Sequence, residues 1–520
     1  MEFLGARIQL NPRPSVRRQV ALEVGMLGHC PGRVRIERLL ALTELVNEIR
    51  QAGFAARLEK INTLVNDIAV ARANAVAQKE IEKLLDQLDI SVSHLPMPLH
   101  STAEFDDIFP LARTTSTHYG SVLAGTRAWL PQAVDDFFTN GGEKLWLVRV
   151  PEAEGIAGFL PEQPQSLLDV DKLRGLASLL VVNRLGLVVM PDLERLQIPA
   201  QLPDIPRKRL ENPEPVFLPL GTLLDDGHRE RRQTSELFAE LPVQPMLTVL
   251  RRLLQLSSPQ RSDIQFIVTL PLSYSNSLAS PVADLEALTL LDDARKTANA
   301  HLLRQVQMVF PYLRQGDRIS SPVGVLAGAI AKNVAVNGAW RSVAMQPLMS
   351  LAQPFPKVDI QETISLRETP GIGIINLKAG KLKLDDERLL VPALHRDDYL
   401  LPGINSDYSK RLSGLRSAEV VRFLGYLVRE LRELGDHLIF NVDPQDPRPQ
   451  LVLERFFLDL YRAGALRGAS PEDAFRITRA SSAENVIAFD IEIAPAYPID
   501  KIIITFINRD GEWQAGVNRV

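Results

Sequence analysis

The apolar residues of this chain recur either at every second position or at every third to fourth, and the changes of period mark out its elements. Near the C-terminus, "NVIAFDIEIAPAYPIDKIIITFINRDGEW" (Asn485 to Trp513) reads as two strands joined by a proline-bracketed corner. Ile487, Phe489, Ile491 and Ile493 alternate with Ala488, Asp490 and Glu492, the pattern of a strand with one buried face. Ile502, Ile504 and Phe506 lie in a run that is apolar on both faces, the pattern of a strand inside a sheet. At the other end Leu4, Ala6, Ile8 and Leu10 alternate with Gly5, Arg7 and Gln9 until "NPRPSVRR" breaks the pattern, which predicts a strand-like arm and a linker. Trp513, Ala515 and Val517 form one further alternating face.

Between these ends the pattern is α/β. "VALEVGMLG" predicts a first core strand. From Glu37 to Leu88 the chain is poor in Gly and Pro, and Leu58, Ile61, Val65, Ile68, Ala75, Ile81, Leu84 and Leu88 recur at helical steps. This predicts a helical insertion over 33–94 containing one helix of about 35 residues, roughly 50 Å long. "RAWLPQAVDDFFTNGGEKLWLVRV" predicts a helix stopped at Asn140-Gly141-Gly142 and a strand from Leu145 to Val150. "KLRGLASLL" reads as helix, "LGLVVMPDL" and "DIQFIVTLPL" as buried strands, and the Pro-rich stretch over 195–235 as a surface excursion. "LDDARKTANAHLLRQVQ" predicts an amphipathic helix, "MVFPYLR" a short strand, and "SSPVGVLAGAIAKNVAVNGAWRS" a helix lined with small residues. Near Pro354 the character changes to short strands ("GIGIINL", "KLKL"), two strongly apolar helices and the terminal strands. The expected organisation is an arm at 1–19, an α/β domain at 20–353, a second domain at 354–510 and a short arm at 511–520.

In the second apolar helix, "PQLVLERFFLDLYRAGALRG", Leu451, Leu453, Phe457, Leu458 and Tyr461 are expected to form the buried stripe. Glu454, Arg455, Asp459 and Arg462 are left for an outer, charged face.

Composition narrows the function. With 45% hydrophobic and 23% charged residues in 520, the chain is ordinary globular protein with enough apolar material for large cores. A formal charge of -4 leaves no excess of Lys and Arg to neutralise a phosphate backbone, so nucleic acid is not an expected partner. Cys30, the single cysteine, has no second thiol to pair with, which fits a reducing cytoplasm or a chain that does without disulfides. The longest uncharged apolar run, "VGVLAGAIA", is far short of the roughly 18 residues of a membrane span, and Glu23 interrupts the only short run that could serve as a secretory signal. No direct membrane insertion is expected.

Chemistry-bearing motifs are absent or have simpler readings. "GIGIIN" lacks the third glycine and following helix of a dinucleotide loop, Gly380-Lys381 lacks the spacing of a phosphate loop, and there is no His-Glu-x-x-His. His29 beside Cys30 falls short of the three or four ligands zinc needs. "GASPE" reads as a helix start, with Ser470 as N-cap and Pro471 at the first position, and not as a nucleophile elbow. "DVDK", "LDDGH" and "HRDDY" read as solvated turns, and Phe456, Phe457 and Tyr461 as core at helical spacing. No catalytic, cofactor or metal site is predicted, and nothing supports an enzyme.

"FFTNGGEKLWLVRV" resembles the helix, Asn-Gly-Gly turn and Val-Arg-Val strand of tail sheath proteins from contractile phages and phage-tail-like injection systems. "PMPLHSTAEFDDIF" is similar to the segment that precedes it in that family, and "SSPVGVLAGAIAKNVAVNGAWRSVAMQPL" resembles the family's Gly-x-x-Ala-Gly helix and Gly-x-Trp segment. The strongest resemblance lies in the last hundred residues, with the Gly-Ala-Leu-x-Gly-x-x-x-x-x-Ala-Phe pattern from Gly464 to Phe475 and then "IEIAPAYPIDKIIITF". The start, "EFLGARIQL", and the middle strand "GIGIINLKAGKLKLDDERLL" depart from the family's usual pattern.

The resemblance implies a structural subunit of mixed α/β (α+β overall) class, with an α/β middle domain inserted into a discontinuous C-terminal sheath domain. It implies that the sheet of that domain is completed by terminal strands lent by neighbouring subunits. The strand-exchange residues would be Leu4, Ala6, Ile8, Leu10, Ile487, Phe489, Ile491, Ile502, Ile504, Phe506, Trp513, Ala515 and Val517. An exposed edge, normally an aggregation hazard, would there serve ordered assembly. The implied partners are further copies in a six-fold helical sheath, an inner tube protein, baseplate and cap proteins, and sheath paralogues. Glu454, Arg455, Asp459 and Arg462 would face the tube. Assembly would take place in the cytoplasm, and the subunit would then be part of a virion or of an extracellular or membrane-anchored injection system. Two alternatives stay open: a minor sheath protein in the baseplate-proximal or cap-proximal layer, and, from another class, a phage-derived enzyme or binding protein built on the middle domain.

Overall fold

A nine-stranded mixed sheet forms the centre of the computed structural model, which describes residues 22–121, 124–161, 165–198, 243–257, 261–273, 282–283, 300–358, 363, 372–390, 417–438, 447–480, 486–496, 502–509 and 512–519. Its strands are β1 (Glu23–His29), β2 (Pro96–Leu99), β3 (Leu145–Val150), β4 (Leu185–Val189), β5 (Gln265–Thr269), β8 (Val306–Phe310), β11 (Pro347–Leu348), β13 (Ile372–Lys378) and β14 (Lys381–Leu384). Their order is β11-β14-β13-β8-β5-β4-β1-β3-β2, parallel from β13 to β3 and antiparallel at both ends. Every residue of β1, β3, β4 and β8 is buried, as parallel strands covered on both faces require. Two small sheets stand apart: β6 (Leu272–Ser273) with β7 (Val282–Ala283), and β9 (Tyr312–Gln315) between β10 (Arg318–Ser320) and β12 (Gln353–Phe355).

The longer helices are α1 (Ala55–Ala73), α2 (Gln78–Val92), α3 (Leu130–Thr139), α4 (Val243–Ser257), α5 (Val323–Asn337), α6 (Ala418–Leu438) and α7 (Arg448–Arg462). α3 and α5 lie together against the sheet so closely that a Cβ on Gly324 would meet the Ala133 carbonyl oxygen at 2.5 Å, and one on Gly328 the Phe137 carbonyl oxygen at 2.2 Å. The small residues of α5 are there to permit that approach. The start of α3 is fixed by Asp192, fully buried, whose carboxylate accepts from the backbone N–H groups of His29, Trp129 and Leu130.

Four expectations change. The 33–94 insertion is a hairpin and not one long rod: α1 and α2 are separate helices of 19 and 15 residues, and Ala75 turns the chain between them at φ 52. A 50 Å rod would leave its apolar stripe in water, whereas the hairpin buries Leu58, Ile61 and Ile68 together with Ile81 and Leu88. "MVFPYLR" gives two strands, because Pro311 has no N–H to continue the ladder of β8. Ala300–Gln305 is a 3-10 helix, and the rest of the segment expected to be an amphipathic helix before it falls outside the described residues, like much of the 195–235 excursion. Finally, the large sheet runs past Pro354: β13 lies parallel to β8 and β14 folds back on it, so the sheet ends at Leu384.

Beyond the large sheet a second core begins. β15 (Phe475–Ala480), β16 (Val486–Ile493), β17 (Ile502–Arg509) and β18 (Glu512–Arg519) form an antiparallel meander in sequence order. α6 and α7 bury their apolar residues against it, around Leu427, Leu431, Leu453, Phe457, Ile491 and Phe506. Trp340, which follows α5, stacks edge-on against Phe423 of α6 at 5.7 Å and joins the two cores.

Candidate assembly surface

In the C-terminal sheet the last strands of the chain pair with one another. Phe489 and Ile491 of β16 stand opposite Phe506 and Ile504 of β17, while Ile493 pairs with Ile502 and Ile487 with Asn508. β15 covers the other side of β16, with Ile477 opposite Ile491. Within the single chain β18 is seated on β17, placing Trp513, Ala515 and Val517 opposite Asn508, Phe506 and Ile504. Of these positions Phe489, Ile491, Ile504 and Phe506 are buried core. The far edges of β15 and β18 have no strand partner among the described residues. Leu4, Ala6, Ile8 and Leu10 lie outside the described residues.

The family-like pattern at Gly464 to Phe475 builds the corner that sets this sheet. Gly464, at φ 76, closes α7, and the N–H of Ala465 returns to the Leu460 carbonyl. Arg467 N–H donates to the Ala494 carbonyl, Ala496 N–H to the Ala465 carbonyl and Ala494 N–H to the Ala474 carbonyl, so the corner grips the end of β16. Ser470 is the N-cap expected, with Pro471 next, and the Asp473 carboxylate accepts from the Ser470 backbone N–H at 3.2 Å and from its hydroxyl at 3.0 Å. Phe475 then enters β15 beside Phe457, ring centroids 5.7 Å apart.

On α7 the buried stripe is Pro449, Leu453, Phe457 and Leu460. Leu451 is 59% exposed, and Leu458 and Tyr461 are half-buried. The correction follows from the helical period: steps of four and three from Leu453 stay on one face, whereas Leu451 sits about 200° away. Arg455, Asp459 and Arg462 are exposed, and Glu454, half-buried, accepts from Gln450 Nε2 at 2.9 Å. Arg462 and Asp459 face each other at 3.5 Å, a loose surface pair.

The residues that hold the C-terminal unit to the large sheet were not foreseen. α6 is packed on both sides, and its arginines reach backwards. Arg422 binds Glu387 with Nη1 3.0 Å from Oε1, and Arg429 and Arg432 converge on Asp263. Arg261 closes the same carboxylate from a neighbouring loop while donating to four backbone carbonyls. Burial works against the Asp263 charge, but Arg261, Arg429 and Arg432 outweigh it and hold the carboxyl well below its usual range. Glu419, buried beside Glu387, is pushed up to about 7 by burial and by that second carboxylate. The available signal was Arg422 and Arg429, seven residues apart and therefore on one face of α6.

The other quoted motifs also serve architecture. Asn140 caps the end of α3, and its side chain donates to the Met349 carbonyl at 3.0 Å and accepts from the Met349 N–H at 2.8 Å. Gly141, at φ 89, makes the turn. Arg149, in the Val-Arg-Val strand, binds Asp89 of α2 and the carbonyls of Cys30 and Gly32, tying the insertion to the sheet. His29 Nδ1 lies 3.0 Å from the Val150 carbonyl oxygen, and burial pushes the Cys30 thiol far up, so this pair is packed interior. Among the described residues no group of three or more His, Cys, Asp or Glu is placed to hold a metal ion, and no helix is long and apolar enough to cross a membrane.

No protein-family model matches the chain, and no curated protein matches it significantly. Among solved structures it is similar to a chain of the anti-feeding prophage baseplate in the contracted state, at 15% identity and a TM-score of 0.49, covering 78% of this chain and 86% of that one. It is similar to the sheath complex of the extracellular contractile injection system PVC in the contracted state, at 13% identity and a TM-score of 0.46, covering 78% and 84%. A sheath tail protein from Desulfitobacterium hafniense is similar over 53% of this chain and 60% of its own, at 12% identity and a TM-score of 0.32.

Proposed function

We propose that this chain is the sheath subunit of a contractile, phage-tail-like injection system, which polymerises around an inner tube and shortens to drive it through a target envelope. The observation that supports this reading most directly is the C-terminal sheet. Its helix side is covered, and its outer strands β15 and β18 carry edges without a strand partner among the described residues. The family-like corner at Gly464 to Phe475 sets the position of that sheet. In this reading the alternating arm at Leu4, Ala6, Ile8 and Leu10 adds a strand to a neighbour, and β18, with Trp513, Ala515 and Val517, is the strand that passes between copies. The arginine links from α6 to Asp263 and Glu387 make each subunit one stiff piece, suited to rigid-body movement from an extended lattice to a shorter, wider one. The exposed Arg455, Asp459 and Arg462 face of α7 meets the tube through weak polar contacts that release on contraction.

Negative-stain microscopy of purified protein tests the assignment. Helical tubes are expected for a main sheath subunit and single rings for an end-layer one; a monodisperse monomer at all concentrations would remove the proposal. Deleting Met1 to Leu10 should leave a folded monomer, by melting, that no longer polymerises, by sedimentation. Normal tubes from the truncated chain would refute the role given to the arm.

A further inference from the structure

His94 stands where the helical insertion returns to the sheet, between α2 and β2, and is only 1% exposed. Its backbone is in the left-handed region at φ 61, and its N–H donates to the Arg149 carbonyl of β3 at 3.0 Å. Both ring nitrogens are engaged. Nε2 lies 2.9 Å from Glu154 Oε2, at the end of the 3-10 helix Glu152–Glu154, and Nδ1 lies 3.0 Å from the Gly175 backbone nitrogen. A backbone N–H can only donate, so Nδ1 is the acceptor and carries no hydrogen. The single N–H of the neutral ring is therefore on Nε2, donated to the Glu154 carboxylate. Gly175 is itself held closely: at φ 53, a Cβ on it would fall 2.3 Å from the Phe159 carbonyl oxygen.

This bond helps to close a loop against the insertion. Residues 165–175 run along the surface, with Leu168 96% exposed and Asp169, Asp171, Lys172 and Arg174 exposed as well. The loop is tied inward by Gly175 on His94, by the buried side chain of Leu173, and by Arg57 of α1, whose Nη1 is 3.4 Å from the Leu173 carbonyl oxygen. Arg57 also donates to the carbonyls of Ser91 and Ser93, so the same guanidinium touches both sides of the seam. A cleft of about 400 Å³ lies along that seam, with His94 and Arg57 in its wall.

We propose that His94 is an acid-sensitive latch: neutral, it holds the 165–175 loop against the insertion, and protonated, it releases that loop and opens the cleft. Imidazolium carries a hydrogen on both nitrogens. The new Nδ1–H would point at the Gly175 N–H, so an attraction becomes a repulsion and a buried backbone donor loses its acceptor. The charges facing the ring decide how much acid this takes. Glu154 favours the imidazolium, but its carboxylate is shared with Arg174 at 2.9 Å. Arg174 from the loop and Arg57 from α1 oppose it, and Lys60, Asp171 and Lys172 line the cleft beside it. Asp89 of α2 is engaged by Arg149 of β3, and His29, at the end of β1, acts on Glu154. Burial is the largest influence and, with the two arginines, holds His94 below its usual value despite Glu154. The latch is therefore whole above the ordinary 6.5 and is lost as pH falls through the lower value His94 has in the fold. It does not depend on the assembly reading.

Hydrogen exchange of the full chain tests it, read by mass spectrometry on peptides spanning 173–180 and divided by the intrinsic rate, from about pH 7.5 to about pH 4.5. Protection of the Gly175 amide should be constant near neutrality and then fall about tenfold for each pH unit below the folded value of His94. A local readout is needed because Glu419, pushed up to about 7, titrates over the same range and moves global stability in the opposite direction. His94→Asn places Oδ1 where Nδ1 stands, so it keeps an acceptor for Gly175, tolerates the left-handed backbone and cannot titrate. Its protection should not change with pH. Glu154→Gln removes the charge that favours the imidazolium, so the fall should begin at lower pH, and this variant decides the matter if His94→Asn does not fold. Protection that stays constant in the unmodified chain across the whole range would overturn the latch. So would an equal fall in His94→Asn, or an onset that Glu154→Gln leaves in place or moves upward.

Discussion

Arg422 and Glu387 face each other across the junction between the two cores, Nη1 3.0 Å and Nη2 3.2 Å from the two carboxylate oxygens, with both side chains buried. Glu387 also accepts from the Ser342 hydroxyl and the Val343 N–H, so one carboxylate ties α6 to the segment after α5. Removing one partner leaves a buried charge alone, which costs about 3 to 5 kcal/mol. Arg422→Met should therefore lower the denaturation midpoint sharply, whereas combining it with Glu387→Leu should recover much of the loss. Equal destabilisation by the single and double variants in a melt would count against a paired role.

Stability should fall as pH rises from about 4.5 to about 7. Burial pushes the Glu194 carboxyl up to about 7, against the hydrogen bonds from Thr269 that favour its charge. A folded-state value above the ordinary 4.5 means that the native state holds a proton the unfolded chain has released. The contribution is whole below about 4.5 and is lost as pH rises to about 7. Glu419 acts in the same direction and Asp263 in the opposite one, its contribution lost only in strong acid. Glu194→Gln should flatten the dependence of the midpoint on pH between 5 and 7, read by denaturant titration; an unchanged slope would exclude Glu194 as its source.

Gly328→Ala should destabilise although alanine is the better helix former. The gain in propensity is about 1 kcal/mol, whereas the new Cβ would fall 2.2 Å from the Phe137 carbonyl oxygen, a backbone atom held by α3. Overpacking of this kind costs about 1 to 3 kcal/mol, so a modest fall in melting temperature is expected, with a larger one for the Gly324→Ala, Gly328→Ala pair. A rise would show that α3 can move away.

Reversing Arg455 and Arg462 should leave the melt unchanged, since both are exposed. In the proposed assembly it should reduce co-assembly with the inner tube, measured as the fraction of filled sheaths by microscopy. Filled sheaths in the usual proportion would place that face elsewhere.

Much of this architecture was written in periodicity. β1, β3, β4, β5, α3, α5 and the C-terminal strands could be read because each buries a repeating apolar set whose period belongs to the element itself. So could the Ser470 cap and the Asn140-Gly141-Gly142 stop, where one or two side chains decide the local backbone. What the sequence left undecided depended on distant partners. The insertion folds as a hairpin because α1 and α2 cover each other, and a helical repeat looks the same whether straight or folded back. The stripe on α7 centres on Leu453 and Phe457 because the sheet lies there, and apolar count alone had admitted Leu451. The large sheet reaches Leu384 because β13 finds β8, more than sixty positions earlier in the chain. The partners of Arg422, Arg429 and Arg432, which are Glu387 and Asp263, stand at least 35 positions earlier in the chain. Local pattern fixes where an element can form; only its packed neighbours fix which of its faces is buried and which charges are paired.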